Sequence, residues 1–181
     1  MPILSTDIVW YLSTTQGSVS NAVPWAGPGT GLGKFISLTP ITDNTLDNVF
    51  SDVTGDENIA SMATYQCIFI SNLNTSLSLI SPVVWITNKT PNGTIVSIGK
   101  DVLGPVNINS TSPQAAQIPY ATIAPPRVVT FSTPLTKNSG IPLGNIGANQ
   151  CAALWIKRIP VNGPAVISDG VSLRVEGGTA P

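Results

Sequence analysis

The chain has 181 residues and no histidine, and with 8 Lys and Arg against 9 Asp and Glu only 9% of it is charged. Without His it lacks the side chain best suited to proton transfer near neutral pH, and the commonest member of nucleophile–base pairs and transition-metal sites. A net charge of −1 excludes the basic stripe of an electrostatic nucleic-acid binder. The apolar runs, such as Val83-Val84-Trp85-Ile86, fall far short of the roughly 20 residues needed to span a membrane.

The length suits one β-sandwich domain, residues 1–181, with room for an extended N-terminal arm or loop within residues 1–40. The opening Met1-Pro2-Ile3-Leu4-Ser5-Thr6-Asp7 has neither a basic nor an apolar signal-peptide region, which predicts no secretory signal. Asn-x-Ser/Thr matches at Asn74, Asn88, Asn92 and Asn109 then reflect Ser/Thr/Asn richness, not glycan sites. Strand-like segments recur between turn signals at Asp7–Ser13, Lys34–Thr39, Thr64–Asn72, Ser76–Ile80, Pro82–Asn88, Thr94–Gly99, Arg127–Ser132, Cys151–Ile159 and Val171–Glu176. In Val171-Ser172-Leu173-Arg174-Val175 the apolar residues share one face and Ser and Arg the other. Asn92-Gly93 predicts a two-residue hairpin, and Asp169-Gly170 gives the same signal before the last strand.

Helix is scarce. Asn44–Phe50 has the spacing for about two turns, with Leu46, Val49 and Phe50 on one face, and Asp56–Ala63 for one more. The stretches Gln16–Gly33 and Gly104–Pro126 are rich in Gly, Pro, Ser and Asn. They are predicted to be extended loops, mobile in isolation and ordered by a neighbour. Little apolar surface there offsets an ordering entropy of about 1–2 kcal/mol per residue. A Gln-Cys pair followed by an apolar-aromatic run occurs at Gln66 and again at Gln150, as expected of equivalent strands in two facing sheets.

No segment carries a catalytic, cofactor or metal signature. Gly27-Pro28-Gly29-Thr30-Gly31-Leu32-Gly33-Lys34-Phe35 superficially resembles a phosphate loop. It has Pro28 where a Walker loop needs Gly and Phe35 where it needs Ser or Thr. Asp43, Asp47, Asp52, Asp56 and Glu57 supply hard oxygens around a Gly turn, but without EF-hand spacing, and acids also belong at a helix start. A glycosidase pair across a cleft is not visible. Trp85 and Trp155 sit in core-like strands, which leaves Trp10 and Trp25 as the freer candidates for stacking on a sugar. Cys67 and Cys151 lie inside apolar runs and are expected to be free thiols. Charge is uneven: residues 1–63 hold six acids against Lys34, a net −5, and residues 127–181 hold five bases against Asp169 and Glu176, a net +3. Such asymmetry suits copies meeting acidic end to basic end, or else two separately solvated ends.

Two stretches resemble a known group. One runs from Asp43-Asn44-Thr45-Leu46-Asp47-Asn48-Val49-Phe50 through Val53-Thr54-Gly55-Asp56-Glu57 to Tyr65-Gln66-Cys67-Ile68-Phe69-Ile70-Ser71-Asn72 and Val84-Trp85-Ile86. The other runs from Leu143-Gly144-Asn145-Ile146-Gly147-Ala148-Asn149-Gln150-Cys151 through Leu154-Trp155-Ile156-Lys157-Arg158 to Asp169-Gly170-Val171-Ser172-Leu173-Arg174-Val175-Glu176-Gly177. Together, over about residues 40–177, they resemble small all-β structural proteins of tailed bacteriophage virions, of the decoration or minor tail type. The resemblance implies a virion protein assembled in the bacterial host cytoplasm.

The expected fold is an all-β, antiparallel β-sandwich, jelly-roll or Ig-like, with long Gly/Pro/Ser-rich loops and at most one or two short helices. The expected function is non-enzymatic: a capsid decoration or cement protein with no cofactor. Its expected partners are the major capsid protein or other virion subunits and further copies of itself, with no nucleic acid and no membrane. A tail, neck or baseplate component is the alternative within assembly. A carbohydrate- or receptor-binding β-sandwich module is the alternative of another class.

Overall fold

Thr64–Asn72 forms a nine-residue strand, β3, in which every residue is buried. The run Tyr-Gln-Cys-Ile-Phe-Ile is β-branched and aromatic enough to favour a pleated strand, and it is apolar on both faces. The rest of the chain is layered around it. The computed structural model describes residues 2–16, 26–126, 129–164, 166 and 168–180. In chain order the elements are β1 (Ile8–Thr14), β2 (Phe35–Pro40), α1 (Gly55–Ile59), β3 (Thr64–Asn72), β4 (Ser78–Lys89), β5 (Ile95–Lys100), β6 (Val106–Asn107), β7 (Ile141–Pro142), β8 (Gln150–Ile159) and β9 (Val171–Ala180).

The strands form two antiparallel sheets. The larger runs β2-β1-β3-β8-β5, and β6 joins it by pairing with Gln150 and Cys151 of β8 beyond the reach of β5. The smaller runs β7-β4-β9. Ile68, Ile70, Leu154 and Ile156 of the larger sheet pack against Leu79, Val84 and Ile86 of β4 and against Leu143 and Ile146. The molecule is an all-β sandwich.

The opposite face of the larger sheet carries a second core of Ile36, Tyr65, Cys67, Phe69, Cys151, Ala153 and Trp155, covered by Ala115 and Ile118. Here the structure differs from the expectation that Gly104–Pro126 orders only against a neighbour. Gln114, Ala115 and Ile118 are buried within the single chain. Gln114 is the reason the segment stays down. Its Oε1 accepts from the Ile36 amide at 2.8 Å, and its Nε2 donates to the Asn107 and Ile108 carbonyls. Three satisfied bonds and a buried apolar pair offset the ordering cost that composition alone left unopposed.

Further expectations are corrected. Ser76–Ile80 and Pro82–Asn88 belong to one strand, β4, interrupted by a bulge at Ser81, whose φ of 48° and Asn145-bonded amide carry the chain through. Asn44–Phe50 is not helical, because Asn44 and Asp47 sit at φ 55° and 53°, the left-handed region that a right-handed helix cannot include. The second helical expectation is met by α1, with Thr54 and Glu57 as a reciprocal capping box. Asn92-Gly93 does not make a hairpin. Thr90-Pro91-Asn92-Gly93 closes with a Gly93 N–H to Thr90 carbonyl bond and Asn92 at φ 60°, a type II pattern that hands the chain from β4 in one sheet to β5 in the other. Asp169-Gly170 likewise precedes a change of sheet, and the Asp169 carboxylate accepts from Thr94 N–H.

Of Arg127–Ser132, residues 127 and 128 lie outside the described residues, and Ser132 makes a single bridge to Ile98 instead of a strand. The Gln-Cys repeats are not in facing sheets. They lie on adjacent strands, β3 and β8, of the same sheet.

Candidate functional site

The charges that are far apart in sequence meet at one end of the sandwich. Arg158, near the end of β8, pairs in register with Thr64 at the start of β3. Its guanidinium donates to the Ser51 carbonyl at 2.7 Å and to Thr64 Oγ1 at 3.3 Å, and lies over the Phe50 ring at 4.5 Å from the centroid. Burial draws its pKa down, while the carboxylates of Glu57, Asp169, Asp47 and Asp52 pull it back up. Arg158 thus lies within electrostatic reach of these acids of the same chain, though among the described residues it forms no ion pair with them. This weakens the expectation that the two charged regions wait for separate copies.

The same end of the sandwich also carries exposed apolar side chains. α1 is tied to the 160s by Asn58 Nδ2 donating to the Gly163 carbonyl, Ile95 opens β5 opposite Ile159, and Tyr65 N–H binds the Ala121 carbonyl. These links gather Ile59, Met62, Ile95, Tyr120, Ile123 and Val161 at the same end, all exposed, with Ile59 and Tyr120 each 71% exposed. Single exposed apolar residues need no explanation, but a concentration of them beside a few charges has the character of a contact surface.

The residues singled out for chemistry are occupied elsewhere. In the Gly27–Lys34 loop, Gly27, Gly29, Thr30, Leu32, Gly33 and Lys34 donate their amides to Thr30 Oγ1, Val49, Gly27, Thr30, Ser13 Oγ and Ala116 respectively. Those donors are unavailable to a phosphate. The glycines serve packing: a Cβ on Gly33, at φ 85°, would collide with the Ala116 carbonyl oxygen. Among the described residues no three Asp, Glu, His or Cys side chains converge as a metal site requires.

Trp85 and Trp155 are buried, Trp10 is half-buried against the inter-sheet core, and Trp25 lies outside the described residues. Cys67 and Cys151 are free and buried. Cys67 lies opposite Trp155 and Cys151 opposite Ser71. That is four residues out of register, roughly 13 Å along the strand and too far for a disulfide. Burial pushes the Cys151 thiol up to about 12 and the Cys67 thiol well above its ordinary value, so neither is a nucleophile near neutral pH.

Sequence reasoning passed over three polar residues that hold the architecture. Asp101 bonds the Trp155 indole, and Asn72 Nδ2 donates to the carbonyls of Leu77, Ile146 and Gly147. Gln114 is the third. A lone Asp, Asn or Gln in a polar stretch carries no signal of burial. The only hint was Asp101 directly after an apolar strand. A shallow apolar cleft of about 170 Å³ also opens on the outer face of the larger sheet, lined by Tyr11, Ile36, Ser37, Leu38, Ser71 and Leu73 among others. The Ser71 Oγ in its floor has no hydrogen-bond partner among the described residues.

No family model, no curated protein and no solved structure matches this chain.

Proposed function

We propose that this protein is a non-enzymatic structural protein of a bacteriophage virion, a capsid decoration or cement protein that holds the shell through subunit contacts. Its neighbours in this reading are the major capsid protein or other virion subunits and further copies of itself, and it assembles in the host cytoplasm. The observation that carries the proposal is the set of exposed apolar side chains at the Thr64 and Ile159 end of the sandwich, where Ile59 and Tyr120 stand far into solvent on a chain with few charges to desolvate. Support for a sugar-binding module is weaker, because Trp10 is packed against the core.

Stoichiometry tests the reading. Quantitative mass spectrometry of purified particles, with a labelled chain located by electron microscopy, is expected to find copies over the whole shell at numbers comparable to the major capsid protein. A few copies at one vertex or along the tail would replace it with the tail, neck or baseplate alternative. Absence from particles would end the virion reading, and binding on a glycan array would favour a receptor module. Ile59→Asp with Tyr120→Asp should weaken attachment at least tenfold while leaving the sandwich folded.

A further inference from the structure

A β-strand at the edge of a sheet presents unpaired amides and carbonyls, and proteins protect such edges with Pro, bulges, inward charges or a covering segment. Three edges of this sandwich are protected in those ways. β2 ends in Pro40, its ladder with β1 is irregular, and its Ile36 amide is capped by Gln114. β5 is covered by the segment carrying Ser132 and Thr133, which bond Ile98 and Val96. β7 is only two residues long.

β9 is different. It is ten residues long, contains no Pro, and among the described residues pairs only with β4. Its inward residues Val171, Leu173 and Val175 reach the core yet remain half exposed, which is what an uncovered edge produces. Its charges, Arg174 and Glu176, both lie on the outward face, where they do not obstruct pairing.

We propose that the free edge of β9 is an interface between two copies of this chain, paired antiparallel about a two-fold axis through Val175. The argument is self-complementarity, which an isologous contact demands. In that register Arg174 lies opposite the partner's Glu176, and Glu176 opposite the partner's Arg174. Opposite charges directly across an antiparallel pair are favourable and like charges are not. On the inner face Leu173 lies opposite the partner's Gly177, and on the outer face Ser172 lies opposite the partner's Gly178, so the bulkier residues meet ones without side chains. Residues 171–179 all find partners, and the two three-stranded sheets become one six-stranded sheet. Within each copy Lys137 and Arg174 already hold Glu176, so the carboxylate is set in place before pairing.

The proposal is independent of the virion reading, since a dimer in solution needs no particle. Sedimentation of the full chain should give twice the 18.8 kDa monomer mass. Arg174→Glu alone or Glu176→Arg alone should raise the dissociation constant about tenfold or more by placing like charges opposite each other. The double variant Arg174→Glu/Glu176→Arg should recover dimerisation, which mere loss of a surface contact would not do. A register test uses small substitutions that spare the charges. An oxidised mixture of Ser172→Cys and Gly178→Cys chains should cross-link, while neither alone does so. A monomer at all concentrations, or a dimer indifferent to the charge swaps and without the mixed cross-link, overturns the proposal; the first outcome leaves the edge to another protein.

Discussion

The indole N–H of Trp155 donates to Asp101 Oδ2 at 2.8 Å, and both side chains are almost wholly buried, Asp101 at 1% and Trp155 at 0% exposure. The same oxygen accepts from the Ala116 amide at 3.0 Å, and Oδ1 accepts from Leu103 N–H at 2.9 Å. One carboxylate thus joins the central strand β8 to the start of the covering segment at Leu103 and to its middle at Ala116. Asp101→Ala would remove the acceptor of three N–H donors, the buried Trp155 indole and the part-buried Ala116 and Leu103 amides. It should cost about 3–5 kcal/mol in urea unfolding and speed hydrogen exchange across residues 101–118. Asp101→Asn keeps an acceptor and should cost less. Unchanged exchange in the Ala variant would show that apolar packing alone holds the segment.

Arg158 couples the acidic segment to β8 through its hydrogen bond to the Ser51 carbonyl and the face of Phe50, and bonds Thr64 Oγ1 of β3 as well. Arg158→Ala removes both bonds and the stem that packs on the ring. It is expected to lower stability by about 2–4 kcal/mol. Arg158→Lys retains the charge but not the fork, and should recover only part of the loss. Equal midpoints for wild type and both variants would contradict the coupling.

Ser71 makes the opposite prediction. Its hydroxyl is buried beneath the apolar cleft without a partner among the described residues, and such a group is unfavourable by about 1–3 kcal/mol. Ser71→Ala should therefore raise the melting temperature or leave it unchanged. A fall of several degrees would mean the hydroxyl is satisfied, most simply by a water in the cleft.

The thiols give a pH dependence with a definite sign. Cys151 holds its proton up to about pH 12 in the folded state, against an ordinary value of 9.0. The folded chain then binds more protons than the unfolded one between those values. Stability is complete below pH 9 and falls as pH rises towards 12, by up to about 4 kcal/mol at the limit. Urea midpoints between pH 8 and about 10.5 should decline less steeply in Cys151→Ala than in wild type. Neither thiol should react with a disulfide reagent in the native chain, and both should react on denaturation without reductant. Failure to label after denaturation would show them oxidised.

The sequence by itself determined the local elements whose cause is local. Period-two alternation marked β9, and the β-branched and aromatic runs marked β3 and β8. The Asp56–Ala63 spacing marked the turn that α1 supplies, and the scarcity of long helix followed from Gly and Pro. It also determined the sandwich class, because many short strands between turns have few other ways to bury their apolar faces.

Only the tertiary structure decided what depends on residues far apart in the chain. Asn92-Gly93 reads as a hairpin in any sequence, yet whether the chain folds back or crosses to another sheet depends on which strands β4 and β5 find to pair with. Gly104–Pro126 reads as a loop because its polar groups have no visible partners until Ile36 and Asp101 come within reach. The acidic segment reads as unanswered until Arg158, about a hundred residues later, is laid beside it. Local backbone preference is written in neighbouring side chains, whereas satisfaction of buried polar groups and charges is a property of contacts that exist only once the sheets have formed.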